Sequence, residues 1–142
     1  MTVRPIRPDD RARALALLGD ARAIDSPGSH VQVVEEDGRV VGAGVGIAPR
    51  GSEGILGAII TEDPRRMDLF HQLLTALVER AIELGYQFGR ATVTRRSLVR
   101  RVEQAYGLTA EPFGRDPRTR EPTSWTFRVD LPTFLEQLRS ME

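Results

Sequence analysis

The sequence predicts an α/β (α+β) domain, a mixed and mostly antiparallel central sheet flanked by helices. Short β-branched runs alternate with helical stripes along the whole chain. A hairpin signal, Glu36-Asp37-Gly38, separates two valine-rich runs. The clearest amphipathic pattern places Phe70, Leu73, Leu74, Leu77, Val78, Ala81 and Ile82 on one helical face. A chain of 142 residues fits one such domain, 1–142, with one sizeable core.

Val3 to Ile6 reads as a strand, and Pro8-Asp9-Asp10 supplies turn and N-cap chemistry for a helix from about 9 to 19, ended by Gly19. Asp25-Ser26-Pro27-Gly28-Ser29 reads as loop. Val31 and Val33, the Asp-Gly turn, then Val40, Val41, Val45 and Ile47 form a hairpin. Its second strand carries Gly42, Gly44 and Gly46, a bare face that either admits a close-packed neighbour or opens a cleft, close packing being the simpler reading.

Pro49-Arg50-Gly51-Ser52 turns the chain into a strand from Gly54 to Thr61, whose Ile55, Leu56, Ala58, Ile59 and Ile60 predict a central position and burial on both faces. The amphipathic helix follows and closes at Gly85. Phe88 to Thr94 is a further strand, and Leu98, Val99, Val102, Ala105 and Tyr106 mark a helix ending at Gly107. A loop rich in Pro, Gly and Arg leads to a last strand, Ser124 to Val129, with Trp125 and Phe127 in the core. Pro132 to Leu138 forms a short C-terminal helix.

Composition removes several function classes. Basic and acidic residues balance at 20 each, so no general field draws nucleic acid or an anionic membrane. Cysteine is absent and only His30 and His71 are present, which leaves no thiolate chemistry and no expected metal site. Every basic residue is arginine, so Schiff-base lysine chemistry is excluded. The lack of Asn and Cys fits adaptation to heat or a GC-rich genome, the second being the simpler source. No run approaches the ~20 apolar residues of a membrane span, and MTVRPIRPDD lacks a secretory apolar stretch, so a cytoplasmic protein is expected. No phosphate-loop pattern is present, and Gly42, Gly44 and Gly46 lie within a strand rather than before a helix.

The order strand, helix, three strands, long helix, strand, helix, two final strands and a C-terminal helix resembles the GNAT N-acetyltransferase superfamily from end to end. VRPIRPDDRARALALL resembles its first strand and helix, EEDGRVVGAGVG its acidic-Gly hairpin, HQLLTALVERAIELGY the end of its cofactor-binding helix, and RRVEQAYGLTAE the next helix with its Gly exit.

This resemblance implies acetyl-CoA as cofactor, its pyrophosphate cradled by backbone amides where a strand end runs into a helix, at Ile60, Thr61, Arg65, Arg66, Met67, Asp68, Leu69 and Phe70. Of the family pattern, Arg/Gln, two residues, Gly, one residue, Gly/Ala, only Arg65 matches. Asp68 and Phe70 stand where the glycines are expected. A non-glycine residue held in a left-handed conformation costs ~1 to 2 kcal/mol. A carboxylate ~4 Å from a phosphate adds repulsion of ~1 to 4 kcal/mol. Asp63-Pro64 also reads as an N-cap and N1 pair, predicting a helix that starts early and seats the protein's own carboxylate at the anion site.

For catalysis, the family's proton-donating Tyr aligns with Glu103 and its Asn with Arg96. Tyr106 is a neighbouring candidate acid, although its place beside Gly107 suits core packing. Glu53 and Glu62 bracket the central strand as candidate bases or as plain solvating carboxylates. His71 lies off the apolar stripe and is expected at the surface, and His30 begins a strand without indicating a role. Arg90, Arg95, Arg96, Arg100 and Arg101 cluster as a phosphate site or as a solvated face paired with Glu79, Glu83 or Glu103, the latter favoured.

Three readings result: an acyl-CoA-dependent N-acetyltransferase acting on an amine or other small molecule; a divergent GNAT-fold binding or regulatory domain with weak or absent acetyl-CoA binding, which the lost motif positions favour; and a phosphate or nucleic-acid binder using the arginines. Open sheet edges and the glycine strand would also permit a homodimer.

Overall fold

The structure, a computed structural model, describes residues 1–49, 51 and 53–142. Alternating valines build the sheet. β1 (Thr2–Pro5) pairs with β2 (Ser29–Glu36), and β2 turns tightly into β3 (Arg39–Ile47). Asp37 and Gly38 both take positive φ, 53° and 76°, as a type I′-like hairpin turn demands. β3 pairs with β4 (Glu53–Thr61), which runs parallel to β5 (Phe88–Val93). β7 (Pro122–Asp130) lies antiparallel beside β5, and β6 (Glu111–Arg115) closes the edge. Among the described residues these seven strands form one sheet in the order β1-β2-β3-β4-β5-β7-β6, with β4 central as expected. The expected turn at 49–52 includes Arg50 and Ser52, which lie outside the described residues.

Helices cover the two faces unequally. α1 (Arg11–Leu18) and α2 (Ala21–Asp25) pack Ala14, Leu17, Leu18, Ala23 and Ile24 over Val31, Val33, Val40, Ala43 and Val45. On the other face lie α3 (Met67–Glu83), α4 (Arg96–Tyr106) and α5 (Leu131–Ser140), which bury Leu74, Val78, Ala81, Tyr106, Leu131, Phe134 and Leu138 together. Each leucine, valine or phenylalanine among them stabilises by about 1.5–3 kcal/mol when fully buried.

The glycines of β3 admit α3. A Cβ at Gly44 would stand 2.8 Å from Leu77 Cδ1, one at Gly42 would stand 3.2 Å from Leu73 Cδ1, and the His30 ring lies over Gly46. Close packing is therefore the reason for the bare strand.

Several expectations need correction. The first helix is preceded by a 3-10 turn, Pro8–Asp10, and the unforeseen α2 occupies 21–25, capped by Asp20 through the Arg22 N–H. The loop after Gly107 contains β6, whose Pro112 and Gly114 interrupt its pairing with register shifts. β4 is central but not buried on both faces: Gly57 and Ile60 are exposed. Its apolar residues line an opening rather than a closed core.

Candidate functional site

That opening arises because β4 and β5 part. They pair from Glu53 with Phe88 to Leu56 with Ala91 and no further. On the β3 side, Val45 faces Ala58 and Gly46 faces Leu56, so Gly57 is an extra, bulged residue at the point of divergence. Residues 57–61 then keep β3 on one edge and, among the described residues, pair with no strand on the other. A row of backbone N–H and C=O groups there faces a cleft of about 630 Å³.

Pro64, Met67 and Phe70 wall the cleft on the α3 side, and Ser97, Leu98, Arg101 and Val102 wall it on the α4 side. Its floor includes Ile59, Ile60, Thr92 and Val93. Among the described residues no carboxylate lines it.

The mouth lies where α3 and α4 begin. Arg95, Arg96, Arg100 and Arg101 are all exposed there, and Arg95 and Arg101 line the cleft. Among the described residues none of the four reaches a carboxylate, which corrects the expected pairing. Glu79 pairs with Arg139 and Glu83 with Arg80, while the Glu103 carboxylate accepts the Ala110 N–H at 3.2 Å. Arg101 instead donates to the Pro64 carbonyl at 3.0 Å, tying α4 to the turn before α3.

That turn also departs from expectation. Asp63 does not cap α3. Its carboxylate accepts the Arg65 N–H at 3.0 Å and its carbonyl the Arg66 N–H at 3.1 Å, closing a separate turn, and α3 starts only at Met67. The exposed Arg65 side chain folds back on Asp63 and holds that carboxyl below its usual range.

Asp68 does sit in the first turn of α3. Arg66 grips it at 2.7 Å and also grips Glu36 at 2.7 Å; this pairing, then the Leu69 N–H and its own, keeps the Asp68 carboxyl ionised well below the usual carboxylate range. Ile60 and Thr61 lie on the unpaired stretch of β4, Met67 and Phe70 line the cleft, and Leu69 is buried behind it against Val34 and Leu73. The expected stretch thus divides into cleft wall, ion-paired turn and core.

The candidate acids and bases do not converge. Tyr106 is 3% exposed, stacked on His71 and edge-on to Phe134. Its hydroxyl lies 3.3 Å from His71 Nδ1, and burial pushes the phenol up to about 12. His71 is consequently mostly buried rather than at the surface, because Tyr106 supplies a stacking partner that sequence spacing does not reveal. Glu103 is committed to the exit turn of α4. Glu62 lies between Arg13 and Arg39. Glu53 stands at the start of β4, 3.8 Å from Arg128. His30 borders the cleft over Gly46, its pKa lowered by burial and by Arg80.

No protein-family model matches the chain, and no curated protein matches it in sequence. Solved structures do match. A GNAT-family protein from Desulfovibrio desulfuricans superposes with a TM-score of 0.73 over 92% of this chain and 98% of its own, at 15% identity. The aminoglycoside 6'-N-acetyltransferase of Enterococcus faecium gives 0.74 over 92% and 97%, at 10% identity. The chain has the GNAT fold. The Salmonella typhimurium protein yncA, whose structure holds its cofactor acetyl-CoA, gives 0.65 over 92% and 93%, at 15% identity.

Within this GNAT fold, the sequence marks the strand and helix that flank the cleft and Arg101 as a candidate phosphate ligand, but not that Leu98 and Val102 of α4 wall the cleft. Their i, i+4 spacing is visible, but an apolar pair at that spacing reads equally well as core.

Proposed function

We propose that this protein binds an acyl-CoA in the β4/β5 cleft and transfers the acyl group to an amine. One observation carries the reading: the strands part after Leu56 and Ala91, and the mouth of the opening holds arginines without carboxylate partners among the described residues. A ligand that fits needs phosphates at one end and a slender amide-bearing arm, which is the chemistry of coenzyme A.

Arg95, Arg96, Arg100 and Arg101 would take the phosphates, and the free edge of β4 at 57–61 would take the amides of the arm. Asp68 opposes a phosphate at the start of α3, and Arg66, shared with Glu36, offsets its charge only in part. Repulsion of ~1 to 4 kcal/mol is to be offset by new charge-assisted bonds, about 1.5–3 kcal/mol each, from the α4 arginines to the phosphates. The anion grip moves from a glycine turn to α4. When bound, the thioester supplies an activated acyl group. Glu53 is the candidate base, on the side of the sheet away from the mouth.

A second reading, a GNAT-fold binding domain without transfer, is supported by the lack of any carboxylate lining the cleft among the described residues and by the commitment of Glu103 to Ala110. Calorimetric titration with acetyl-CoA, followed by assay of thiol release with an amine panel, separates the two. Binding with thiol release supports transfer. Binding without release supports the second reading, and no heat at millimolar acetyl-CoA overturns acyl transfer and leaves only a binding domain for another ligand.

A further inference from the structure

Arg90 and Arg128 lie directly opposite one another on β5 and β7. Strand parity fixes where they point. A Cβ at Gly89 would meet Leu131 of α5, and Val129 packs in the same cluster, so their neighbours Arg90 and Arg128 project to the opposite face, that of α1 and α2. On that face α1 packs on β3 and β4 and α2 on β2, whereas the helices packed on β5 and β7 are α4 and α5 behind the sheet.

Two like charges on directly opposed residues repel. Among the described residues no partner relieves this fully. Arg90 borders the cleft, its Nε is buried, and among the described residues it has no hydrogen-bond partner. Among the described residues Arg128 reaches only Glu53, at 3.8 Å, too long for a hydrogen bond, and its side chain is 63% exposed. Asp130, next along the same face, is occupied by the Thr133 N–H and by Gln87.

The geometry points to Arg90 and Arg128 as a clamp for a carboxylate of the acyl acceptor, which makes the acceptor class small amines that carry a carboxylate, such as amino acids. This rests on the acyltransferase reading above. A planar carboxylate accepts paired N–H bonds from a guanidinium fork, and the second fork supplies the opposing charge. The clamp opens on the face away from the phosphate mouth, so donor and acceptor reach the gap between β4 and β5 from opposite sides. Glu53, on the same face because Gly54 points to Ala81 of α3, supplies a negative group beside the clamp for the acceptor's ammonium.

The probe is N-acetylglycine, with N-acetylglycinamide as its uncharged counterpart, titrated into the full chain and followed by Trp125 fluorescence and by backbone NMR. The acid binds at least tenfold more tightly than the amide to the wild type, and Arg90→Gln and Arg128→Gln each remove that preference. Because Arg128 is exposed, its variant keeps the fold, which the unfolding midpoint verifies. Equal binding of acid and amide, binding of neither, or a preference that survives both substitutions overturns the clamp. Coenzyme A titrated separately tests the reading beneath it: coenzyme A binding without acid preference overturns the clamp alone, and acid preference without coenzyme A binding upholds the carboxylate site while overturning acyl transfer.

Discussion

Leu56 and Ala91 are the last residues at which β4 and β5 lie side by side. Past them the bulge at Gly57 carries β4 away, and Arg95 and Arg101 stand over the gap. Arg95→Ala and Arg101→Ala should each weaken coenzyme A binding about tenfold, the lower end of a charge-assisted hydrogen bond for an exposed group. Calorimetry in rising salt checks this, since affinity that rests on these guanidiniums falls as they are screened. Unchanged affinity in both variants places the phosphates elsewhere.

Tyr106→Phe distinguishes a buried packing residue from a proton donor. The hydroxyl is directed at His71, so its loss should lower stability by about 0.5–1.5 kcal/mol and leave acyl transfer within a factor of two or so. A fall of about a hundredfold in turnover, the scale of lost general acid catalysis, would restore the tyrosine to the chemistry.

The contact of β3 with α3 should be intolerant of one methyl group. At Gly44 a Cβ would press on Leu77, itself 4% exposed, and overpacking of this kind costs about 1–3 kcal/mol. Urea unfolding of Gly44→Ala measures it. A neutral result would mean that the helix rides higher than described.

Acid stability should report the pair that anchors β1. Asp10, 8% exposed, accepts from Arg4 and from the Arg7 N–H, and the Arg4 bonds hold its carboxyl below the usual range. Because the folded value lies below the unfolded one of about 3.9, the stabilisation is complete above that pH and is lost as pH falls through the folded value. The difference in unfolding free energy between wild type and Asp10→Asn should therefore hold steady from neutral pH to about pH 5 and shrink below about pH 4. A difference that grows on acidification contradicts the assignment.

Local chemistry explains which parts of this fold were legible. The Asp37-Gly38 hairpin, the α3 stripe and the Gly107 exit, with φ of 64°, each have one physical solution written in neighbouring residues. The start of α3 has two. Asp63-Pro64 suits a helix cap, yet the same carboxylate closes a turn on Arg65. β6 hides because Pro112 and Gly114 are loop residues by composition. The apolar run of β4 looks the same whether strands flank it throughout or leave half of it open, so the candidate site was only partly visible. The partners of His71 and Glu103 lie 35 and 7 residues away, beyond any periodic signal.

The free edge of β4 is where an acyl-CoA is proposed to bind. Amide hydrogen exchange at residues 57–61, read with and without coenzyme A, tests it, because the alternate N–H groups there that point away from β3 would change from open to bonded on binding. Slowed exchange there, with little change along the β2–β3 hairpin, is the predicted result. Unaltered exchange at 57–61 in millimolar coenzyme A would contradict it.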